Sequence, residues 1–116
     1  MWRDDAYLLD ILIAARRTLE FTAGKTQEEF ARDDLIQNAV MRLVTIIGEA
    51  ANRVSPDFRA AHPEIPWRDI IGMRHRLVHD YFKVDVARVW DTIRNDLRPL
   101  IAALEPLVPP DTPDNR

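Results

Sequence analysis

Apolar side chains recur every three or four residues along nearly the whole chain, and this period limits the fold more than any other feature. Tyr7, Leu8, Ile11, Leu12, Ala15 and Leu19 form one such face, and Val86, Val89, Trp90, Ile93, Leu97, Leu100, Ile101 and Leu104 form another. Only three glycines, Gly24, Gly48 and Gly72, interrupt the pattern. No Asn-Gly or Asp-Gly pair offers a hairpin turn. A chain of 116 residues patterned this way is one all-α domain, and its 47% hydrophobic content is enough for a packed core.

Start and stop signals divide the pattern into a bundle of four long helices and one short one. The first helix spans about residues 4–22, with Asp4 and Asp5 at its positive N-terminal end. Leu9 and Ile13 lie opposite its main apolar face, so both sides of this helix need covering, one of them by something outside its own core. Gly24-Lys25 ends it. Thr26-Gln27-Glu28-Glu29 then reads as a capping box opening a second helix that continues to about Val54. That helix carries a polar stripe of Asn38, Arg42, Thr45, Glu49 and Asn52. Ser55-Pro56 starts a short helix ending near Ala61. His62-Pro63-Glu64-Ile65-Pro66 is a loop, because the residue before each proline is pushed away from helical angles. A fourth helix is predicted from Trp67 to Tyr81 or Phe82, and a fifth from about Asp85, kinked at Pro99. The bundle is expected over residues 1–105, with residues 106–116, rich in proline, as a flexible tail.

Composition excludes several functions. With no cysteine there is no disulfide scaffold, thiolate nucleophile or sulfur-ligated zinc. A net charge of −3 does not suit a protein that coats nucleic acid along its whole surface, though it leaves room for a local basic site. The apolar runs fall far short of the ~20 residues of a membrane span. Met1-Trp2-Arg3-Asp4-Asp5 does not suit a secretory signal, and we expect a cytoplasmic protein with no membrane partner.

Candidate chemistry concentrates between Trp67 and Tyr81. On one continuous helix, Trp67, Ile70, Ile71, Leu77, Val78 and Tyr81 share a side, and Arg74 falls in the middle of that apolar arc. A guanidinium buried there needs a carboxylate or phosphate. One solution is a structural ion pair, with Glu49 as the candidate partner across the bundle. Arg68, Gly72, His75 and His79 form a second stripe, where the missing side chain of Gly72 allows another backbone to come close. The histidines fit a solvated helix edge. Their spacing of four also fits a metal pair, but no third ligand is evident and we expect no metal site. Arg68, Arg74, Arg76 and Lys83 outnumber Asp69 and Asp80, a mild basic bias.

The exact string is more specific than its spacing. Arg74-His75-Arg76-Leu77-Val78-His79-Asp80-Tyr81 reads R-x4-H-x-Y. It resembles the signature of the HEPN superfamily, and within it the HepT-like branch of small bacterial and archaeal toxins. Ile47-Gly48-Glu49-Ala50 resembles that branch's second-helix motif, and the run from Ile65 to Arg74 resembles its approach to the signature. Phe82-Lys83-Val84-Asp85 and Val89-Trp90 resemble the branch's stretch beyond the signature. One departure is His75, where the branch often has asparagine. The resemblance implies a metal-independent endoribonuclease on an HEPN-like helical bundle, needing no cofactor. It also implies a homodimer that joins two signatures in one cleft. It further implies a cognate minimal nucleotidyltransferase antitoxin that silences the toxin by transferring AMP to Tyr81.

The implied chemistry is consistent with the residue types. RNA carries its own nucleophile, the 2′-hydroxyl. His79 titrates near neutrality and can serve as base or acid, while Arg74 can hold the scissile phosphate. His75, Arg76 and Arg68 are candidate substrate-binding residues, and Glu49 is a candidate to orient Arg74. Arg74 and His79 are five residues apart, about 140° around an ideal helix, so they share a phosphate only if the arginine reaches round, the last turn unwinds, or two chains contribute. A two-fold dimer is expected, with the Gly72, His75 and His79 stripe near its mate. Two other functions compete: a catalytically silent module that binds a nucleotide or partner, and a chain that serves chiefly as the acceptor of AMP.

Overall fold

The computed structural model describes residues 2–78 and 83–109. It is an all-α bundle. Its helices are α1 (Trp2–Thr22), α2 (Gln27–Ala31), α3 (Asp34–Arg53), α4 (Pro56–Ala61), α5 (Trp67–Ile71), α6 (Met73–Leu77), α7 (Val86–Asn95) and α8 (Leu97–Leu104), followed by a 3-10 turn at Glu105–Leu107. The long helices α1 and α3 pack along each other and form the main interface. α5 and α6 lie on α3, α8 on α1, and α7 on α2. Leu8, Ile11, Val40, Ile47, Ile70, Val89, Leu97 and Leu104 are buried in one core that all of these faces share.

Three helices expected to be continuous are divided, and each division has a local cause. The capping box forms as expected: the Thr26 hydroxyl accepts from Glu29 N and the Glu29 carboxylate accepts from Thr26 N. The helix it opens stops after Ala31. Asp33 then caps α3, its carboxylate accepting from Ile36 N at 3.0 Å. Gln37 stabilises the break, since its Nε2 donates to the carbonyls of Phe30 (2.8 Å) and Ala31 (3.1 Å) at the end of α2; Phe30 O also accepts from Asp33 N at 3.2 Å. The last helix divides at Asp96, and Pro99 therefore falls in the first turn of α8, where a missing N–H costs little. Beyond it, Leu107 and Val108 pack on the core, and Arg16 pairs with Glu105 at 2.8 Å.

The third division is at Gly72, between α5 and α6, and it changes what faces the core. Before the break Trp67 and Ile70 are buried; after it Met73 and Leu77 are. The inner face shifts by one position relative to a continuous helix, so Arg74 is exposed and not embedded in the apolar arc. α6 also ends early: Val78 is extended (φ −124°, ψ 141°) and pairs antiparallel with Val84, while Asp85 N donates to Leu77 O at 2.8 Å.

The first helix does not keep a second open apolar face. Leu9 is 5% exposed within the single chain and Ile13 is half-buried. Among the described residues, the large apolar side chains left exposed are Phe21 and Leu35, the latter 80% exposed.

Candidate active site

Two elements create the cleft around Arg74. The first turns of α3 supply Asp34, Gln37, Asn38 and Met41. The first turn of α6 supplies Arg74, and the strand-like segments beyond that helix supply Val78 and Val84. Together these residues enclose about 260 Å³. Asn38 is held on α3 by its Nδ2 donating to Asp34 O at 2.8 Å. Val78 and Val84 are fixed by their bridge, which draws together the two ends of the segment between them.

Arg74 forms no hydrogen bond or ion pair among the described residues. An exposed guanidinium beside a cleft, without a bonded carboxylate, presents its planar fork of donors to an incoming anion. The structural ion pair with Glu49 does not form. Glu49 is an exposed residue of α3, near the level where Gly48 meets α5, and the carboxylate that lines the cleft with Arg74 is that of Asp34.

The other sequence candidates are spread around α5 and α6. His75 is exposed on α6. Arg76 is exposed, and its Nη2 donates to Asp69 O at 2.9 Å, which ties α6 back to α5 across the Gly72 break. Arg68 is exposed and lines a different groove, with Arg59, Trp67, Ile71 and Gly72. Among the described residues of the single chain, the atom close to a Cβ placed at Gly72 is Arg68 O of its own helix, at 3.4 Å. The close backbone approach occurs at Gly48 instead, beneath the carbonyls of Ile70 and Ile71. His79 and Tyr81 lie outside the described residues.

Asp34, Gln37, Asn38 and Met41 are site residues that the sequence alone does not single out. Asn38 belongs to the polar stripe of α3, but only the packing of α6 against α3 distinguishes it from Arg42 or Asn52. His62 takes no part in the cleft. Its ring packs on Phe58 at 4.4 Å, and its Nδ1 pairs with the Glu64 carboxylate at 3.1 Å. A backbone N–H and this imidazole hold the Glu64 carboxyl below the usual carboxylate range.

Comparison with known proteins gives one consistent result. The model of the ribonuclease HepT-like family matches residues 11–107. A protein of Thermococcus cleftensis named "Probable ribonuclease HepT" is 44% identical over 101 residues, covering 87% of this chain and 92% of its own. A protein of Methanocaldococcus jannaschii named "Putative RNase MJ1380" is 38% identical over 92 residues, covering 79% and 84%. No solved structure matches the chain. Among the described residues, no helix is long and apolar enough to cross a membrane.

Proposed function

Because this chain belongs to the HepT-like ribonuclease family of the HEPN superfamily, we propose that it is a metal-independent endoribonuclease toxin, active as a homodimer and silenced by a nucleotidyltransferase antitoxin. One observation carries the reading. Arg74, unpaired among the described residues, and Val78 and Val84, the two anchors of the segment that carries His79 and Tyr81 in sequence, line one cleft. Because α6 stops at Leu77, the angle that an ideal helix would put between Arg74 and His79 is no obstacle to a shared phosphate.

The chemistry needs no group beyond side chains and substrate. His79 takes the proton of the 2′-hydroxyl, and the 2′-oxygen forms a bond to the scissile phosphorus. The bond to the 5′-oxygen breaks, with a proton delivered by a second imidazole, that of His79 in the partner chain or of His75. Arg74 stabilises the charge that builds on the non-bridging oxygens. The products are a 2′,3′-cyclic phosphate and a 5′-hydroxyl. Arg76 and Arg68 contribute to substrate binding along the outer face of α5 and α6. Glu49, beside Gly48 on α3, acts through the α3–α5 contact.

Homodimerisation is supported by Leu35, whose exposed side chain follows Asp34 at the edge of the cleft. A mate packed there would bury an apolar group and bring its own Arg74 cleft close. AMP attached to Tyr81 would add a phosphate and a bulky nucleotide to the segment whose anchors, Val78 and Val84, line the Arg74 cleft, so inhibition by competing charge and bulk requires no refolding. The deciding experiment incubates the unmodified protein with defined RNAs in EDTA and identifies the product ends. Cyclic phosphate ends support the proposal; intact RNA assigns the fold to a silent binding module.

A further inference from the structure

Where the loop after α1 meets α7 and α8, Lys25, Arg94 and Arg98 line a recess of about 590 Å³ together with Leu19, Thr22 and Trp90. Among the described residues no carboxylate lines it, although the chain as a whole is acidic. Trp90, Arg94 and Arg98 follow one another at intervals of four. Arg94 lies in the last turn of α7 and Arg98 on α8 beyond the Asp96 break, and neither arginine has a bonded carboxylate among the described residues. The Arg94 guanidinium instead lies over the Trp90 ring, 5.9 Å from its centroid, and Trp90 is fixed in turn by Phe30 at 5.5 Å. Opposite them, Lys25 has Glu29 nearby, but that carboxylate is already engaged in capping Thr26.

Three converging cations with no lining carboxylate fit a phosphate, and a guanidinium held over an indole offers a flat surface to the adjoining base. The recess opens at the same end of the α1–α3 pair as the Arg74 cleft. Lys25 precedes α2 and Asp34 follows it, so the two sites flank one short helix in sequence. We propose that this recess binds a phosphate and its neighbouring base in the single-stranded RNA substrate, away from the scissile bond. The proposal rests on the ribonuclease reading and extends it: Arg74 holds the reacting phosphate, while Lys25, Arg94 and Arg98 hold the strand in register. Lone nucleotides share this chemistry, but the position of both sites where the end of α1 and the start of α3 lie favours a strand that occupies both.

The test uses a fluorescent twelve-nucleotide RNA, fully 2′-O-methylated so that it cannot be cleaved, titrated by anisotropy at several salt concentrations. The parent chain is compared with Lys25→Ala/Arg98→Ala and with Arg98→Lys, with circular dichroism confirming that each folds. Loss of the recess phosphate contact should weaken binding about fivefold or more and reduce the salt slope by roughly 0.7. Arg98→Lys should restore most of the slope. If the parent binds RNA and the double variant binds it with the same affinity and slope, the recess is not a strand contact and the ribonuclease reading is untouched. If the double variant loses only AMP binding, the recess serves free nucleotides and the strand contact is overturned. A parent chain that binds no RNA overturns both this proposal and the ribonuclease reading.

Discussion

Gly48 on α3 lies beneath the backbone of Ile71 on α5: a Cβ at position 48 would stand 3.3 Å from the Ile71 carbonyl oxygen and 3.4 Å from that of Ile70. These atoms belong to a helix backbone and cannot rotate away as a side chain would. The contact fixes how closely α5 approaches α3, and through α6 it fixes where Arg74 stands relative to Asp34 and Asn38. Gly48→Val should therefore destabilise the fold by about 1–3 kcal/mol and reduce RNA cleavage as well. Gly48→Ala should cost less, because alanine regains about 1 kcal/mol of helix propensity. Urea unfolding of both variants checks the ranking.

Asp4 is 4% exposed, and its carboxylate accepts from Ser55 N at 2.9 Å and from Ser55 Oγ at 2.7 Å. Ser55 in turn caps α4 by accepting from Phe58 N. Asp4→Ala would strip a part-buried backbone donor of its acceptor, with an expected loss of roughly 1–3 kcal/mol of stability. Asp5→Ala, at a more exposed neighbouring position, is the control. Equal melting temperatures for the two variants would contradict this account.

Arg74→Ala should be structurally mild, within about ±0.5 kcal/mol of the parent, because the side chain is exposed and unpaired among the described residues. RNA cleavage should nevertheless fall by about 10²-fold or more, the scale expected when a group stabilising transition-state charge is removed. His79→Ala should abolish cleavage and growth inhibition. Cleavage by His79→Ala at the parent rate would remove this residue from the mechanism.

Tyr81→Phe should leave the fold intact and prevent antitoxin-dependent modification. Intact-mass measurement after incubation with ATP and the cognate nucleotidyltransferase reads the outcome directly. AMP adducts on Tyr81→Phe at the parent level would show that the acceptor lies elsewhere.

Glu29 gives a pH-dependent contribution of known sign. Hydrogen bonds from the Thr26 backbone and hydroxyl, and then the charge of Lys25, hold its carboxyl below the usual range. A depressed folded-state pKa means that the stabilisation is complete above the ordinary carboxylate range and is lost as pH falls through the lowered value. The stability difference between the parent and Glu29→Ala should thus be constant near neutrality and shrink in acid, as monitored by melting at a series of pH values.

The all-α class, the caps at Thr26 and Ser55, the polar stripe of α3 and the candidate residue Arg74 were legible in the sequence, because each depends on spacing or on interactions within a few residues. The breaks at Asp33, Gly72 and Asp96 were not. Asp33 can lie within a helix or start one, and the choice falls to Gln37, which captures two carbonyls of the preceding helix only once the chain has turned. Helical counting across Gly72 assigns Arg74 to the core, whereas packing against α3 turns Met73 and Leu77 inward and leaves the guanidinium free. The carboxylate of Asp4 reaches Ser55, fifty-one residues away, and Asp34 and Asn38 come to line one cleft with Arg74, through the same cause. Local periodicity states which residues can share a face, but the relative placement of α1, α3 and α6 depends on the depth to which Gly48 lets two backbones approach, and that depth exists only in the folded chain.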